Sequence, residues 1–416
     1  MKARRSVDLR FRSAKEDDLD RLVEIHLAAY PDALSVAARQ RNFTLNPFGN
    51  LDDLIVVERR GELVAHAFLH PLRASFGGAW VKVGGVASVG VALEARGQGI
   101  ATALMHHLHG LSDRRRDAIT LLYAFRQGFY AGIGYSPTSS RKRLGIDPRS
   151  VPPSWRSLAR DRVTALRPTD ERSLRRLHTR AAERSSGWIR RSKRYWEMLR
   201  LRESRMTLVC RSADHRRATG YVAFTLSQDE AHGPTVLEVD EMVFDDAESR
   251  RALFGALSAM RDQVGEIVIE IAETDPLERA LLDSDARRPG TVAVEHPIGE
   301  LVGGPMIRIT DVARAIRARG YGGSGAFDVV VRAEESADAF HVVVRDGRGV
   351  VEPLPRKRAR EPRALVTSRS GLAALLYGGL LPSDAVALGL AEASPELAAA
   401  LQPILRIAPV TPIDAF

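Results

Sequence analysis

The chain contains 416 residues, 44% of them hydrophobic and 27% charged, which indicates several globular domains and excludes a collagen-like or largely disordered protein. No apolar run approaches the ~18 residues that a membrane span needs, no apolar stretch follows the basic N-terminus as in a signal peptide, and the single cysteine, Cys210, excludes an intrachain disulfide. The net charge of +9 comes mostly from arginine, but the basic runs lack the interleaved aromatic rings typical of nucleic-acid binders, so we expect a cytoplasmic protein with no nucleic-acid or membrane partner.

The first block of predicted elements spans residues 1–147. An alternating strand at residues 7–12 leads into a helix whose first turn carries Glu16, Asp17 and Asp18, since carboxylates are favourable at a helix N-terminus. Two hairpin strands, a long strand rich in Val and Gly, a helix and another strand follow at residues 54–58, 62–69, 80–92, 101–111 and 118–125. Strands that alternate with helices after an antiparallel start indicate a mixed α/β sheet.

The second block, residues 148–296, repeats the opening of the first. In both, a strand and a small polar residue precede an acidic helix start and an apolar helical face, at residues 12–23 and 167–177. This recurrence indicates an internal duplication. The third block, residues 297–416, is predicted to contain a helix at 308–319, strands at 327–332 and 340–345, helices at 372–376 and 384–391, and a short apolar tail.

The strongest functional signal is the glycine-rich segment between the long strand of the first block and the following helix. It reads Arg96, Gly97, Gln98, Gly99, Ile100, Ala101 and continues into the helix at Thr102. Glycines at a helix start expose consecutive backbone N–H groups, which together with the helix dipole favour a pyrophosphate, and Arg96 can add charge-assisted hydrogen bonds. The alternative is a purely structural turn.

The order of strand, Arg-x-x-Gly-x-Ala and helix resembles the acetyl-CoA signature of the GCN-five-related N-acetyltransferases (GNAT). The resemblance implies that acetyl-CoA pairs with the free edge of the preceding strand and is flanked by the end of the next one. The expected cofactor-binding residues are Ser88, Val89, Gly90, Val91, Arg96, Gly97, Gln98, Gly99, Ile100, Ala101, Thr102, Phe125 and Arg126. The backbone N–H near Val89 is expected to stabilise the negative charge that develops on the thioester oxygen.

Tyr130 is the expected general acid. It lies in the segment 128–135, which resembles the family pattern Phe-Tyr-x-x-x-Gly-Tyr/Phe, whose tyrosine protonates the departing thiolate. A phenol with a pKa of ~10 is protonated at neutral pH and can donate a proton. The alternative is that Tyr130 packs under the sheet, as we expect for Tyr135.

The strand before the glycine loop carries no glutamate positioned to deprotonate an amine, so this strand offers no general base. The three blocks and the terminal Phe resemble the enhanced intracellular survival (Eis) family of aminoglycoside acetyltransferases. That resemblance implies an α/β (α+β) fold: tandem GNAT domains with mixed twisted sheets, the second degenerate, and a C-terminal sterol-carrier-protein-like α+β domain. It also implies that the carboxylate of Phe416 is the base; the alternative is a frayed terminus.

The same resemblance implies the acceptor. It suggests a polyamine-like or aminoglycoside substrate and a homohexamer built as a trimer of dimers. Asp32 matches a family position that binds cationic amines, with a helix N-cap as the alternative role, and Tyr30 and Trp188 are expected to line the same cleft. The family often has an acidic residue before the terminal Phe. Here that residue is Ala415, and Asp414 lies one place earlier, a departure that bears on the aminoglycoside assignment but not on acetyl transfer.

Other candidate sites are weaker. The second domain has acidic residues at 245–248 where the first has its glycine loop, so we expect no second acetyl-CoA site. His106, His107 and His109 lack an evident further ligand, so we expect no metal. The alternative functions are a protein lysine or N-terminal acetyltransferase, and a lipid- or ligand-binding protein whose cavity would be lined by apolar residues of the third block. Those residues are Leu375, Leu376, Leu380 and Leu381.

Overall fold

The computed structural model describes residues 9–31, 34–202, 204–228, 234–281, 299–332, 337–355, 364–414 and 416. Its strands form three sheets with helices packed on their faces, so the fold is mixed α/β, as predicted. The predicted basic run at residues 356–358 lies outside the described residues. Among the helices of the described chain, none has the length and apolar character needed to cross a membrane.

The first sheet contains the predicted strand–loop–helix motif. Its strands, in spatial order, are β1 (Leu9–Ser13), β2 (Leu54–Arg59), β3 (Glu62–Phe76), β4 (Ala79–Val91), β5 (Ile119–Leu122), β14 (Met306–Ile309) and β6 (Ser136–Pro137). Its helices are α1 (Leu19–Ala29), α2 (Val36–Thr44), α3 (Ile100–Arg114) and α4 (Gln127–Ala131). The buried faces of α1 and α3 pack on the sheet through Leu22, Ile25, Leu104 and Leu108.

The second sheet has the order β13 (Glu300–Val302), β7 (Arg141–Ile146), β12 (Val264–Ala272), β11 (Thr235–Phe244), β10 (Ala218–Gln228), β9 (Met206–Arg211) and β8 (Val163–Ala165). The helices of this part are α5 (Pro153–Arg162), α6 (Glu171–Arg184), α7 (Lys193–Leu201) and α8 (Ala247–Ser258). Two strands pair outside the block that contains them: β7 lies at the end of the first block but pairs with β12 in the second sheet, whereas β14 lies in the third block but pairs with β5 in the first sheet. These pairings tie the three blocks of the chain together.

The third sheet has the order β17 (Arg348–Pro353), β16 (Ala337–Arg345), β15 (Gly325–Arg332), β18 (Ala364–Ser368) and β19 (Ala391–Glu392). Its helices are α9 (Val312–Ala318), α10 (Arg369–Ala373), α11 (Pro382–Ala387) and α12 (Pro395–Leu405). Leu375 and Leu376 are each 1% exposed and belong to one hydrophobic core with Phe76 and Ile307 of the first sheet. These two leucines therefore pack in the core between the third block and the first sheet instead of lining a ligand cavity. The likeness to a sterol carrier protein stays a prediction.

Three predicted elements have different bounds in the structure. β5 ends at Leu122, so Phe125 and Arg126 lie beyond the strand that was expected to reach them. The predicted helix at residues 308–319 is a strand followed by a helix, because Asp311 accepts a hydrogen bond from the Arg314 N–H and thereby starts α9 only at Val312. The predicted helix at 384–391 ends at Ala387.

The predicted duplication has a structural counterpart at both helix starts. The side chain of Asp18 accepts from the Lys15 N–H at 2.7 Å, and that of Asp170 accepts from the Arg167 N–H at 2.9 Å. In each case a short 3₁₀ turn precedes the long helix. An aspartate at the equivalent position therefore stabilises the strand-to-helix connection in each of the two blocks.

Candidate active site

The predicted acetyl-CoA edge lies where β4 and β5 separate. These parallel strands pair from Val83↔Ile119 to Gly85↔Leu121, and no later pair joins them in the described residues. Since β4 continues to Val91, its final residues present backbone groups to the gap. An unpaired strand edge can hydrogen-bond an extended ligand, which is the feature that the pantetheine arm of acetyl-CoA requires.

A β-bulge interrupts the pairing of β4 with β3 near this edge. Ser88 has a φ of +50°, and the register of β4 against β3 shifts between His66 and Phe68. Bulges increase local twist and redirect backbone groups, often beside active sites. The Tyr30 hydroxyl donates to the Val89 carbonyl oxygen at 3.3 Å, so Tyr30 is in contact with the bulge.

The glycine loop requires glycine for its backbone conformation. Gly97 and Gly99 have φ values of +73° and +79°, and a Cβ at either position would meet no atom within 4 Å. Gly99 is the N-cap of α3 and supplies no side-chain cap, so the first-turn N–H groups face outward without one. By contrast, α8 of the second domain begins at Asp246, whose side chain accepts from the Ser249 N–H at 2.7 Å. The anion-binding end of α8 is thus capped by the protein's own carboxylate.

The polar side chains of the loop hold the loop itself. Arg96 donates to the backbone oxygens of Ala28 at 2.8 Å and Val91 at 3.3 Å. Gln98 donates to the Glu94 carbonyl oxygen at 3.0 Å. Arg96 therefore fixes the loop against the end of α1 in addition to supplying charge. Behind the loop, Ile100 is buried, and Ala101 and Thr102 are half-buried.

Tyr130 lies on α4 and is 3% exposed. Its ring packs edge-on against Phe129 and Tyr135 at centroid distances of 5.0 and 5.8 Å. Burial, with a smaller contribution from Tyr30, raises the pKa of Tyr130 to about 12. The phenol therefore keeps its proton at neutral pH. Tyr135 is fully buried and its hydroxyl contacts Thr120 at 3.0 Å, so it packs in the core.

The ring of Phe416 lies beside the point where β4 and β5 separate. It packs against Tyr123, Phe48 and His70 at centroid distances of 5.7, 6.1 and 6.4 Å. Gly85 makes room for it, because a Cβ at this position would lie 2.9 Å from a Phe416 ring carbon. The last residue is therefore packed into the first domain.

Three predicted residues do not join this group. Phe125 is 73% exposed and Arg126 is also exposed, both past the end of β5. Trp188 is 7% exposed and packs against His178 at a centroid distance of 5.4 Å, inside the contact between the first two domains. Asp32 lies outside the described residues.

A cavity of about 1080 Å³ opens on this region between α2 and α7, and both Ser88 and Phe416 line it. Much of its wall is apolar, including Phe48, Met198 and Leu201. Its charged lining residues are Arg41, Arg191, Arg194, Arg202, Arg205, Glu197, Asp240, Glu241 and Asp414. The cavity thus joins the strand edge of the first domain to a charged wall of the second.

Sequence reasoning missed the residues around Asp414 and the role of Gly85. Asp414 is 1% exposed and contacts Arg191, which lies 223 positions away along the chain. No local pattern signals such a pair. The adjacent glycines Gly84 and Gly85 did carry a signal, since glycine inside a strand often marks the close approach of another group.

Comparison with known proteins finds two acetyltransferase matches along the chain. Residues 10–138 match a family described as an acetyltransferase (GNAT) domain, and residues 187–309 match a second family with the same description. An uncharacterized N-acetyltransferase of Streptomyces avermitilis is 27% identical over 347 residues, which is 78% of each chain.

Solved structures share the whole fold. A GCN5-related N-acetyltransferase from Anabaena variabilis has a TM-score of 0.82 at 20% identity, covering 98% of this chain and 100% of the other. One from Kribbella flavida has a TM-score of 0.79 at 24% identity, covering 98% of each chain. Eis1 from Mycobacterium abscessus has a TM-score of 0.77 at 20% identity, covering 98% of this chain and 100% of the other.

Proposed function

Because this chain belongs to the GNAT N-acetyltransferases, with two such domains in tandem, we propose that its first domain transfers the acetyl group of acetyl-CoA to an amine of a small-molecule acceptor. The observation that carries this proposal is the convergence of three features in one gap of the first sheet. They are the unpaired edge of β4, the uncapped N-terminus of α3 and the buried phenol of Tyr130.

Acetyl-CoA supplies the activated thioester, and the chain supplies its binding groups. Residues 86–91 of β4 offer backbone hydrogen bonds to the pantetheine arm, and the Val89 N–H is proposed to face the thioester oxygen. The first-turn N–H groups of α3, preceded by Gly97 and Gly99, suit the pyrophosphate. In the second domain, the Asp246 cap on α8 is consistent with the absence of a second acetyl-CoA site.

Two proton transfers are assigned to this chain's residues. The carboxylate of Phe416, directly or through a water molecule, accepts a proton from the acceptor ammonium so that the nitrogen lone pair can attack the thioester carbon. As the C–S bond breaks, the Tyr130 hydroxyl donates its proton to the sulfur, and the second proton that the nitrogen loses on becoming an amide returns through water to the Tyr130 oxygen. An α-carboxyl with a pKa of ~3.5 in water is a weak base for an ammonium, and removing a carboxylate from water makes it a stronger base because its charged form is disfavoured. The packing of the Phe416 ring supports this role.

The acceptor expected from the Eis resemblance is an aminoglycoside or another polycation. A cavity for several ammonium groups needs unpaired carboxylates, and the described lining offers few. Glu241 and Asp414 pair with Arg191, and Asp240 lies 3.4 Å from Arg205. Glu197 has only a long contact of 3.7 Å to the exposed Lys193. This observation favours a second candidate acceptor, a monoamine with an apolar body that fits the wall of Phe48, Met198 and Leu201.

The test is thiol release from acetyl-CoA in the presence of an acceptor panel. The panel contains kanamycin, spermidine, 2-phenylethylamine and a lysine-containing peptide, with mass spectrometry of each product. Turnover with kanamycin, spermidine or 2-phenylethylamine supports the proposal. A preference for kanamycin or spermidine indicates a polycationic acceptor, and a preference for 2-phenylethylamine indicates an apolar monoamine. Acetylation of the peptide alone would instead support a protein acetyltransferase, and no turnover with any amine would contradict the proposal. The hexamer expected from the Eis resemblance and the cytoplasmic location belong to the same proposal; light scattering tests the first.

A further inference from the structure

We infer that Arg191 of the second domain is a positioning residue for catalysis, which clamps Asp414 and thereby fixes the carboxylate of Phe416 in the first domain's site. This inference rests on the proposed function of Phe416 as the base. It gives the second domain a role in the reaction although its own helix N-terminus is capped.

The network around Asp414 is closed and buried. Arg191 donates from Nη2 and Nε to Asp414 Oδ1 at 2.6 and 3.0 Å, and from Nη2 and Nη1 to Glu241 at 2.6 and 3.2 Å. The side chains of Arg191, Glu241 and Asp414 are each 1–2% exposed. Tyr195 adds a hydroxyl hydrogen bond to Asp414 Oδ1 at 2.9 Å. A buried carboxylate with this many donors occupies a single position.

Charge balance keeps the network ionised. Burial alone would raise the pKa of Glu241, but the charges of Arg191 and Arg205 lower it to about 2. Burial would likewise lower the pKa of Arg191, but Glu241 and Asp414 raise it well above its usual value. The guanidinium of Arg191 also lies 4.8 Å from the centroid of the Trp196 ring. Glu241 and Trp196, which are not part of the tail, thus hold Arg191 in place.

The tail reaches this network along the second domain. Val410 pairs with Ser186 as a parallel bridge, and the Thr411 N–H donates to the Ser186 carbonyl oxygen at 3.2 Å. Gly187, with a φ of +81°, lets Val410 approach to 2.8 Å of the position that a Cβ would occupy. The Tyr123 hydroxyl of the first domain then donates to the Asp414 carbonyl oxygen at 3.1 Å. Both domains therefore hold Asp414.

Only one residue separates Asp414 from Phe416, so the clamp limits how far the terminal carboxylate can move. A base displaced by ~1 Å can lose ~100-fold in rate. If Asp414 moved away from Arg191, Phe416 would be free to move within the cavity of about 1080 Å³ that it lines. Arg191 therefore acts on the reaction through Asp414 and without contact to the acceptor nitrogen.

The test compares Asp414→Asn with Asp170→Asn in the full-length protein. Asp170 forms the matched control pair with Arg211 at 2.8 Å, also buried and in the second domain but not in contact with the tail. Steady-state thiol release with kanamycin and 2-phenylethylamine gives kcat and KM for acetyl-CoA. Carboxypeptidase Y digestion of the folded protein gives the rate of Phe416 release, which does not depend on activity. Arg191→Lys keeps the positive charge but loses the guanidinium that binds both carboxylates. Its kcat and its rate of Phe416 release should therefore lie between those of the native protein and those of Asp414→Asn.

For Asp414→Asn we expect kcat at least about tenfold lower with KM for acetyl-CoA unchanged, and Phe416 release about tenfold faster. Asp170→Asn should leave kcat and the rate of Phe416 release unchanged even if its melting temperature is lower. If Asp414→Asn does not fold, Tyr195→Phe should show the same changes to a smaller degree. Unchanged kcat and unchanged Phe416 release in these variants overturn the clamp. If a chain extended by one glycine after Phe416 loses activity while Asp414→Asn keeps it, the clamp fails but the proposed base stands. If the extended chain also keeps full activity, the proposed base fails as well.

Discussion

The proposed chemistry depends at the residue scale on one hydroxyl, that of Tyr130. Its pKa of about 12 means that the group is protonated throughout the neutral and mildly alkaline range. A phenol that donates to a departing thiolate must keep its proton until the C–S bond breaks, and burial achieves this.

Replacing Tyr130 by Phe should lower kcat by about 100-fold, since positioned proton transfer contributes about that factor. The ring remains, so KM for acetyl-CoA and the melting temperature should change little. Tyr135→Phe is the matched control: it removes a hydroxyl that contacts Thr120 in the core, so it should lower stability but leave kcat intact. Full activity of Tyr130→Phe would remove Tyr130 from the mechanism.

Gly85 is the second residue on which the site depends. In Gly85→Ala the new methyl group would lie 2.4 Å from Leu72 and 2.9 Å from the Phe416 ring, so the terminal ring must move and kcat should fall by about tenfold or more. Gly110→Ala, whose nearest atom is the end of the Arg114 side chain at 3.7 Å, should stabilise α3 by about 0.5–1 kcal/mol and keep activity. Kinetics and thermal melts of both variants check this, and an unimpaired Gly85→Ala would show that the packing of Phe416 is unimportant.

At the scale of elements, the glycine loop and α3 act together as an anion site. Alanine at Gly97 or Gly99 would be forced into a left-handed conformation, which costs about 1–2 kcal/mol. Relief of that strain moves the N–H groups that face the pyrophosphate. KM for acetyl-CoA should therefore rise in both variants while kcat at saturation changes little.

Gly61→Ala provides the control for loop strain. Gly61 has a φ of +86° and open space around it, in the turn between β2 and β3. Gly61→Ala should lose as much stability as Gly97→Ala, without a change in KM for acetyl-CoA. If the two variants raise KM equally, the effect is general destabilisation and the loop has no special role.

Local elements were the ones that the sequence could predict. The strand, glycine loop and helix of residues 80–111 follow from side-chain periodicity and from glycine chemistry within a few residues. The pairing of β7 with β12, the pairing of β14 with β5 and the Arg191–Asp414 contact depend on residues far apart in the chain. The free edge of β4 was expected from the family resemblance and not from the local pattern. The segment around Arg308 illustrates why local patterns are not enough. Its amphipathic pattern is compatible with a helix or a strand, and it forms a strand because it pairs with β5.

At the scale of the whole molecule, buried histidines make stability depend on pH. Burial lowers the pKa of His66, His70 and His109 to about 3 and that of His178 to about 4, below the 6.5 of a free histidine. The folded protein thus keeps these rings neutral where the unfolded chain binds protons. Their contribution to stability is complete above pH 6.5 and is lost as the pH falls toward 4.

The free energy of unfolding should therefore fall below pH 6.5, by up to about 1.4 kcal/mol per pH unit for each such histidine. Urea unfolding at pH 8, 6.5 and 5 measures this slope. His109→Gln should reduce the slope between pH 6.5 and 5 by about one histidine's share. A stability that stays level from pH 8 to pH 5 would contradict the burial of these neutral rings.

At the same scale, the residues that follow the third sheet bring Phe416 back to the first sheet, where its ring packs against Tyr123. The most direct test of the proposed base is a semisynthetic protein in which the Phe416 carboxylate is converted to a carboxamide without added length. If this carboxylate is the base, kcat for acetyl transfer should fall by about 100-fold while KM for acetyl-CoA stays unchanged. A carboxamide protein that acetylates its acceptor at the native rate would contradict this role of Phe416.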